Sequence, residues 1–310
     1  MTFSEIKTLV VTTGKETLDD DLPSLAAAIA YYAVFSLPPL LVTIIAIAGV
    51  VAGPGRVEAA LVEQIGGLAG GGAAQAIATM IQQAGDLGSG LGAKAAGLLA
   101  LVFGASGAFG QLQKALNRAW EVEPDTDGGV VQLIVKRLLS FGLVVTIALL
   151  LLVSLAVDAV LGAAGTAAGE LLPGEAARVG IAVASFAVSL LVSTGLFATV
   201  FKVLPDAEIR WRDVMVGALV TAVLFALGKA AIGLYIGTSD PGSAFGAAGA
   251  LALILLWIYY TSLILLIGAE FTQVWATRYG AGITPDDAPD LHPLAEAREP
   301  APRSGVTPTE

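Results

Sequence analysis

Few side chains able to do chemistry stand in a pattern that could use them, and the informative ones interrupt long apolar runs. Lys229 and Glu270 each break such a run, and Pro38-Pro39 breaks another. An ionised side chain in hydrocarbon costs several kcal/mol unless it faces protein or water, which makes Lys229 and Glu270 candidates for function. Gly104-Ala105-Ser106-Gly107 has the spacing of an intramembrane serine nucleophile. Such a serine needs an adjacent base, and the single histidine, His292, stands in a polar, proline-rich tail. Small-xxx-small spacing of Gly104 with Ala108, and of Ser106 with Gly110, suits close helix packing instead. No His and carboxylate cluster has metal-ligand spacing, and the absence of cysteine excludes thiolate sites, disulfides and cysteine nucleophiles together. The expectation is a protein without enzymatic activity, cofactor or metal.

The elements that must carry these residues follow from composition. Of 310 residues, 56% are hydrophobic and 14% charged, against about 25% charged in soluble domains. Apolar stretches at 25–52, 91–110, 138–161, 179–201, 214–236 and 247–269 each meet the roughly 20 residues a helix needs to cross a bilayer. None alternates with the period of a membrane strand, so helices are expected throughout. The fold class is an all-α polytopic membrane protein with six transmembrane helices. The first span is expected to be retained, since it is too long for a signal peptide and Asp19, Asp20 and Asp21 precede it.

With a cytoplasmic N-terminus, inner segments hold twelve of the sixteen basic residues, and outer segments hold only Arg56, Lys94 and Arg178. The positive-inside rule then places both termini in the cytoplasm. Residues 1–22 form an amphipathic cytoplasmic segment, with Thr2 and Glu5 at capping-box spacing and Ile6, Leu9, Val10 and Thr13 on one face. Residues 23–277 form the membrane domain. Val57, Leu61, Ile65 and Leu68, then Ile77, Met80, Ile81 and Ala84, predict an outer pair of amphipathic helices between spans one and two. Gly66-Gly67 and Gly70-Gly71-Gly72 read as a joint, because no Gly-Lys-Ser/Thr follows to make a phosphate loop. Residues 278–310, rich in proline from Thr284 on, predict a disordered cytoplasmic tail. The net charge of −10 gives no basic footprint for nucleic acid. Partners are membrane lipids and an anionic ligand, and the packing glycines are compatible with a homo-oligomer.

Lys229 sits about 10 Å below the outer interface at 1.5 Å per residue. It either meets an anionic group in an aqueous path, snorkels, or pairs with Asp158. Pro38 and Pro39 are expected to break the ladder of the first span and free the carbonyls of Val34 and Phe35 beside Tyr31, Tyr32 and Ser36. Those residues and Tyr235 are the candidates for a substrate path. Glu270 lies near the inner end of the last span, where Lys202, Arg210, Arg212 or Arg278 can pair with it. Asn117 and Arg118 join Glu270 and Asp158 as structural candidates, and Trp120 reads as an interfacial anchor.

The chain resembles the YihY/BrkB family of bacterial inner-membrane proteins, from about residue 20 to 277. The resemblance is carried by Ala30-Tyr31-Tyr32 with Ser36-Leu37-Pro38-Pro39-Leu40, and by Leu112-Gln113 with Leu116-Asn117-Arg118-Ala119-Trp120. It continues through Leu204-Pro205-Asp206, Trp211, Gly217-Ala218, Gly228-Lys229 and Tyr235, then Phe245-Gly246-Ala247, Leu256-Trp257-Ile258-Tyr259 and Gly268-Ala269-Glu270. Phe245 stands where the family commonly has tyrosine. The resemblance implies a six-span protein of the cytoplasmic membrane, regarded as a transporter or an envelope-resistance factor. The ribonuclease BN label some members once carried has no support here, since stacking groove, metal cluster and basic surface are all missing from the pattern. The leading expectation is a transporter or lipid translocator for an anionic solute or headgroup. The alternative is a non-transporting scaffold for envelope assembly or resistance.

Overall fold

The computed structural model describes residues 2–69, 71–86, 107–122, 175–239 and 247–285, most of which are helical as the sequence signals predict. Helix α1 (Phe3–Asp19) starts where the Thr2 backbone N–H donates to Glu5 Oε2 at 2.6 Å. That bond satisfies a donor near the helix start and holds the exposed Glu5 carboxyl below its ordinary range. Leu9, Thr13 and Thr17, four residues apart, are buried along one stripe, while Phe3, Ile6, Val10, Val11 and Leu18 are exposed. Ile6 and Val10 thus part from Leu9 and Thr13, because α1 turns its threonine stripe inward against the last helix.

Helix α2 (Leu22–Ala52) runs as one helix through Pro38-Pro39. The expected break is absent. Val34 on one side of the pair and Leu41 on the other are buried in the same cluster, so packing carries the helix across the two missing donors. Ser36 Oγ donates to the Ala33 carbonyl at 2.8 Å in the turn before the prolines. After Gly53, with φ +87°, come α3 (Pro54–Ala69) and α4 (Gly71–Asp86), the expected amphipathic pair. Ala73, Ile77 and Ile81 form the buried stripe of α4 and pack with Val34, Leu41 and Ile254.

The remaining described helices are α5 (residues 107–119), α6 (Glu175–Val203), α7 (Trp211–Ser239) and α8 (Ala247–Tyr279). Ala182–Val203, Trp211–Ile232 and Leu251–Tyr279 are each long and apolar enough to cross a membrane, and Leu22–Pro38 is a shorter apolar stretch. These match the expected spans near 179–201, 214–236 and 247–269. The expected span at 138–161, most of that at 91–110 and the tail from residue 286 lie outside the described residues. A two-residue ladder pairs β1 (Ala207–Glu208) antiparallel with β2 (Thr284–Pro285). It ties the link between α6 and α7 to the chain leaving α8.

Packing divides into two clusters. One gathers Leu22, Ala26 and Ile29 of α2 with Leu116 and Trp120, Phe197 and Phe201 of α6, Val214 and Ala218 of α7, and Leu266 and Ala269 of α8. The other joins α2, α3, α4 and the first half of α8. Helices α7 and α8 meet backbone to backbone. Gly217 of α7 lies under Thr272 of α8, and Gly268 of α8 lies under Thr221 of α7. Each hydroxyl is satisfied on its own helix, Thr221 Oγ1 donating to the Gly217 carbonyl and Thr272 Oγ1 to the Gly268 carbonyl, both at 2.7 Å. A third contact sets Gly228 against Tyr260, whose hydroxyl donates to the Leu224 carbonyl at 3.3 Å. Small residues at such crossings let helices approach closely where no water drives association. Gly217→Val should therefore lower stability by about 1–3 kcal/mol through overpacking. Thermal unfolding in detergent checks this, and the double change Gly217→Val with Thr272→Gly should recover much of the loss.

Candidate functional site

A group of charged and polar residues meets where α1, the end of α5 and the second half of α8 come together. Glu270 stands two residues beyond Gly268 on α8, and the close α7–α8 crossing draws its turn into the core. It is 1% exposed. Its Oε2 has no hydrogen-bond partner, and among the described residues no cation pairs with it. The charged groups acting on it are the carboxylates of Asp20, Glu16 and Glu121. The expected ion pair with Lys202, Arg210, Arg212 or Arg278 is not formed. Lys202 instead donates to the Ile209 carbonyl at 2.9 Å, closing the turn that follows α6.

Helix α5 supplies a set of amide donors. Asn117, 2% exposed, donates from Nδ2 to Asp206 Oδ2 at 2.8 Å and accepts at Oδ1 from the Asp206 backbone N–H at 3.0 Å. Gln113 Nε2 donates to Asp206 Oδ1 at 3.1 Å. Both carboxylate oxygens of Asp206 are thereby tied to one helix, which fixes the Leu204-Pro205-Asp206 turn between α6 and α7. Trp120 is buried, not interfacial: its Nε1–H donates to the Ala269 carbonyl at 2.9 Å, next to Glu270 in the chain. A buried indole needs an acceptor, and α8 provides one. Trp211, 57% exposed at the start of α7, is the tryptophan with the surface position expected of an anchor.

The end of α5 turns through Glu121, which adopts φ 55°. Val122 N–H bonds to the Asn117 carbonyl and Glu121 N–H to the Arg118 carbonyl, the paired bonds of a Schellman stop. That turn aims Arg118 at the α1–α2 link, where its Nε lies 3.2 Å from Asp20 Oδ1. Burial pushes the Asp20 carboxyl above its ordinary range; Arg118 works against this, and Glu121, Glu16 and Asp19 add to it. Arg118 is 62% exposed, so this pair contributes at most about 1 kcal/mol. Asp213, in the first turn of α7, is also buried, with Oδ2 unpartnered and its carboxyl against Gly280. Among the described residues no three His, Cys, Asp or Glu side chains are grouped to hold a metal ion.

The path candidates do not converge on one point. Tyr31 and Tyr32 are 58% and 44% exposed on α2 and meet edge to face at 5.8 Å. Tyr32 also lies against Gly107 of α5. Ser36 is buried on the same helix with its hydroxyl turned to Ala33, and Pro38 is half-buried. Lys229 is on α7 and exposed. It shares a helix face with Ala218 and Ala222, three and two turns earlier, which are buried. The side chains of Pro39 and Tyr235 lie outside the described ones, as do Asp158, Ser106 and His292. Sequence reasoning assigned no role to Gln113, Asp206, Thr221 or Thr272; the segments holding Gln113 and Asp206 carried the family resemblance, which was the available signal.

Comparison with known proteins gives one family and a set of relatives. The family model described as virulence factor BrkB matches residues 13–291. A UPF0761 membrane protein of Ralstonia nicotianae is 30% identical over 253 residues, covering 81% of this chain and 55% of the relative. One of Stenotrophomonas maltophilia is 29% identical over 268 residues, covering 84% and 58%. A UPF0761 protein of Klebsiella pneumoniae is 37% identical over 84 residues, covering 27% of this chain and 29% of the relative. The chain spans a little over half the length of the relatives it matches most fully. No solved structure matches it.

Asn117→Ala removes two bonds to Asp206 inside the core and should lower stability by about 1–3 kcal/mol. Glu121→Gly should act oppositely, since glycine takes a positive φ without strain, and raise stability by about 1 kcal/mol. Chemical denaturation of both variants in the same detergent tests the pair.

Proposed function

The chain belongs to the BrkB virulence factor family of membrane proteins, and on that premise we propose that it moves an anionic molecule across the bacterial cytoplasmic membrane, with a lipid headgroup as the favoured cargo. The observation that carries this is the position of Lys229. It lies inside the stretch Trp211–Ile232 that is apolar enough to cross a bilayer, it is exposed, and no described residue pairs with it. An unpaired ammonium at that depth costs about 3 kcal/mol against lipid tails unless it reaches water or an anion. Ala218 and Ala222 on the same face are buried and Lys229 is exposed, which supports an approach to the ammonium from outside the bundle. Nearby in the fold, α6 exposes Val179, Val183 and Phe186 toward its own start. An exposed cation beside apolar helix surface suits a molecule with a charged head and acyl tails better than a small hydrophilic solute.

Phe271, Trp275 and Tyr279 form an aromatic row along the end of α8, with ring centroids 6.3 and 5.1 Å apart, as suits a membrane interface on the α1 side. That side is assigned to the cytoplasm from the distribution of basic residues. A scaffold function is the second reading, and the Asn117–Asp206 lock favours it, because that end of the bundle is held shut by paired groups. Neither reading includes an enzymatic step.

Reconstitution in liposomes with a fluorescent anionic lipid tests the choice. Lys229→Met should slow its movement between leaflets about fivefold, and Lys229→Arg should keep most of the rate, since the ammonium contributes about 1 kcal/mol to headgroup attraction. Equal rates for Lys229→Met and the unaltered chain would remove Lys229 from the mechanism. Failure of the unaltered chain to move any anionic lipid or solute would favour the scaffold.

A further inference from the structure

We propose that Glu270 is a proton-binding site, and that its bound proton holds helix α1 down on α8. The grounds are geometric and do not depend on what crosses the membrane. Glu270 is 1% exposed, its Oε2 has no partner, and the groups acting on it are carboxylates. A charge buried without a counter-charge is the costliest arrangement a side chain can adopt. The carboxyl must therefore be neutralised, by a cation or by a proton. A metal ion needs several oxygen ligands around it, and no such group forms among the described residues. A proton needs no space.

Among the described residues, the cations on the elements around Glu270 are engaged elsewhere, Lys15 lying 3.9 Å from Asp19 and Arg118 3.2 Å from Asp20. Helix α1 and its link to α2 bring Glu16, Asp19 and Asp20. The end of α5 brings Glu121 together with Arg118, and Arg118 is engaged with Asp20. Helix α2 brings no titratable side chain between Leu22 and Ala30. Helix α7 faces this part of α8 with Thr221, while Asp213 lies further along against Gly280, beside Arg210 and Arg212, which are exposed. Loss of the proton sets a fourth carboxylate beside Glu16, Asp20 and Glu121. Relief comes from admitting water, and the element free to move is α1, a separate helix whose buried face holds only Leu9, Thr13 and Thr17.

The sign follows from proton counting. Docked, the site holds a proton that it releases once α1 lifts and water enters, so docking is favoured at low pH and weakens as pH rises. Asp20, pushed up by burial, adds in the same direction. The device is thus a latch on the α1 side that closes on acidification.

Absence of cysteine from the chain makes the test clean, because one introduced thiol is unique. Thr13→Cys places it on the buried stripe of α1, and Val11→Cys, at a position 61% exposed, serves as the control for thiol ionisation. With the full chain in liposomes, maleimide labelling at position 13 relative to position 11 should rise about tenfold between about pH 6 and about pH 9. Adding Glu270→Gln should flatten that rise, since the amide is neutral at every pH. Glu121→Gln should reduce it, and gives the answer if Glu270→Gln does not fold. A flat ratio in the Glu270 background, or an equal rise in the variants, would overturn the proposal.

Discussion

Close approach of α7 and α8 is the contact on which the rest of this structure depends. Two glycines and two threonines alternate across it, Gly217 under Thr272 and Thr221 over Gly268. Inside a membrane there is no hydrophobic gain in bringing two apolar helices together, so shape and internal hydrogen bonding must do it. The threonine hydroxyls bond back to their own helices and sit directly over the facing glycines. The crossing fixes the rotation of α8. That rotation presents the Ala269 carbonyl to Trp120 and turns Glu270 inward among carboxylates, where no cation of the described residues pairs with it.

The two ends of the bundle differ in kind as a result. Toward α1, polar groups are tied to one another: Asn117 and Gln113 hold Asp206, the exposed Arg118 reaches Asp20, and a two-residue ladder closes the base. Toward the end of α7 the described side chains are more exposed, Leu227 and Leu234 among them. Ala218 and Ala222 are buried, Lys229 on the same face is not, and α6 exposes apolar side chains. On the two proposals made above, the exposed cation would meet an anionic headgroup at one end and the enclosed acid would bind a proton at the other. The enclosed acid is the less common feature, since unpaired buried carboxyls are costly and persist where something neutralises them.

Much of this organisation could be read from the chain before its shape was known, and the exceptions share a cause. Span positions at α6, α7 and α8 follow from unbroken apolar length, and the α3–α4 pair follows from apolar spacing with glycines between. Both signals are local. Trp120 illustrates what is not local: a tryptophan near a helix end has the same sequence context whether its indole meets headgroups or a carbonyl on a distant helix. Pro38-Pro39 carries a true local penalty, yet Val34 and Leu41 on either side pack firmly enough to keep α2 continuous. Glu270 was legible as an anomaly, while its want of a partner was not, because Lys202 and the arginines lie nearby in depth but turn to other acceptors or to the surface.

The state of the Glu270 carboxyl tests the central claim most directly, for a sealed end without a counter-charge requires it to be neutral. Infrared difference spectra of the unaltered chain against Glu270→Gln, in liposomes at neutral pH, read that state without labels. A protonated-carboxyl C=O stretch present in the unaltered chain and missing from the variant is the expected result. A difference confined to the ionised-carboxylate bands would contradict it, and would mean that water or an unseen cation reaches the core.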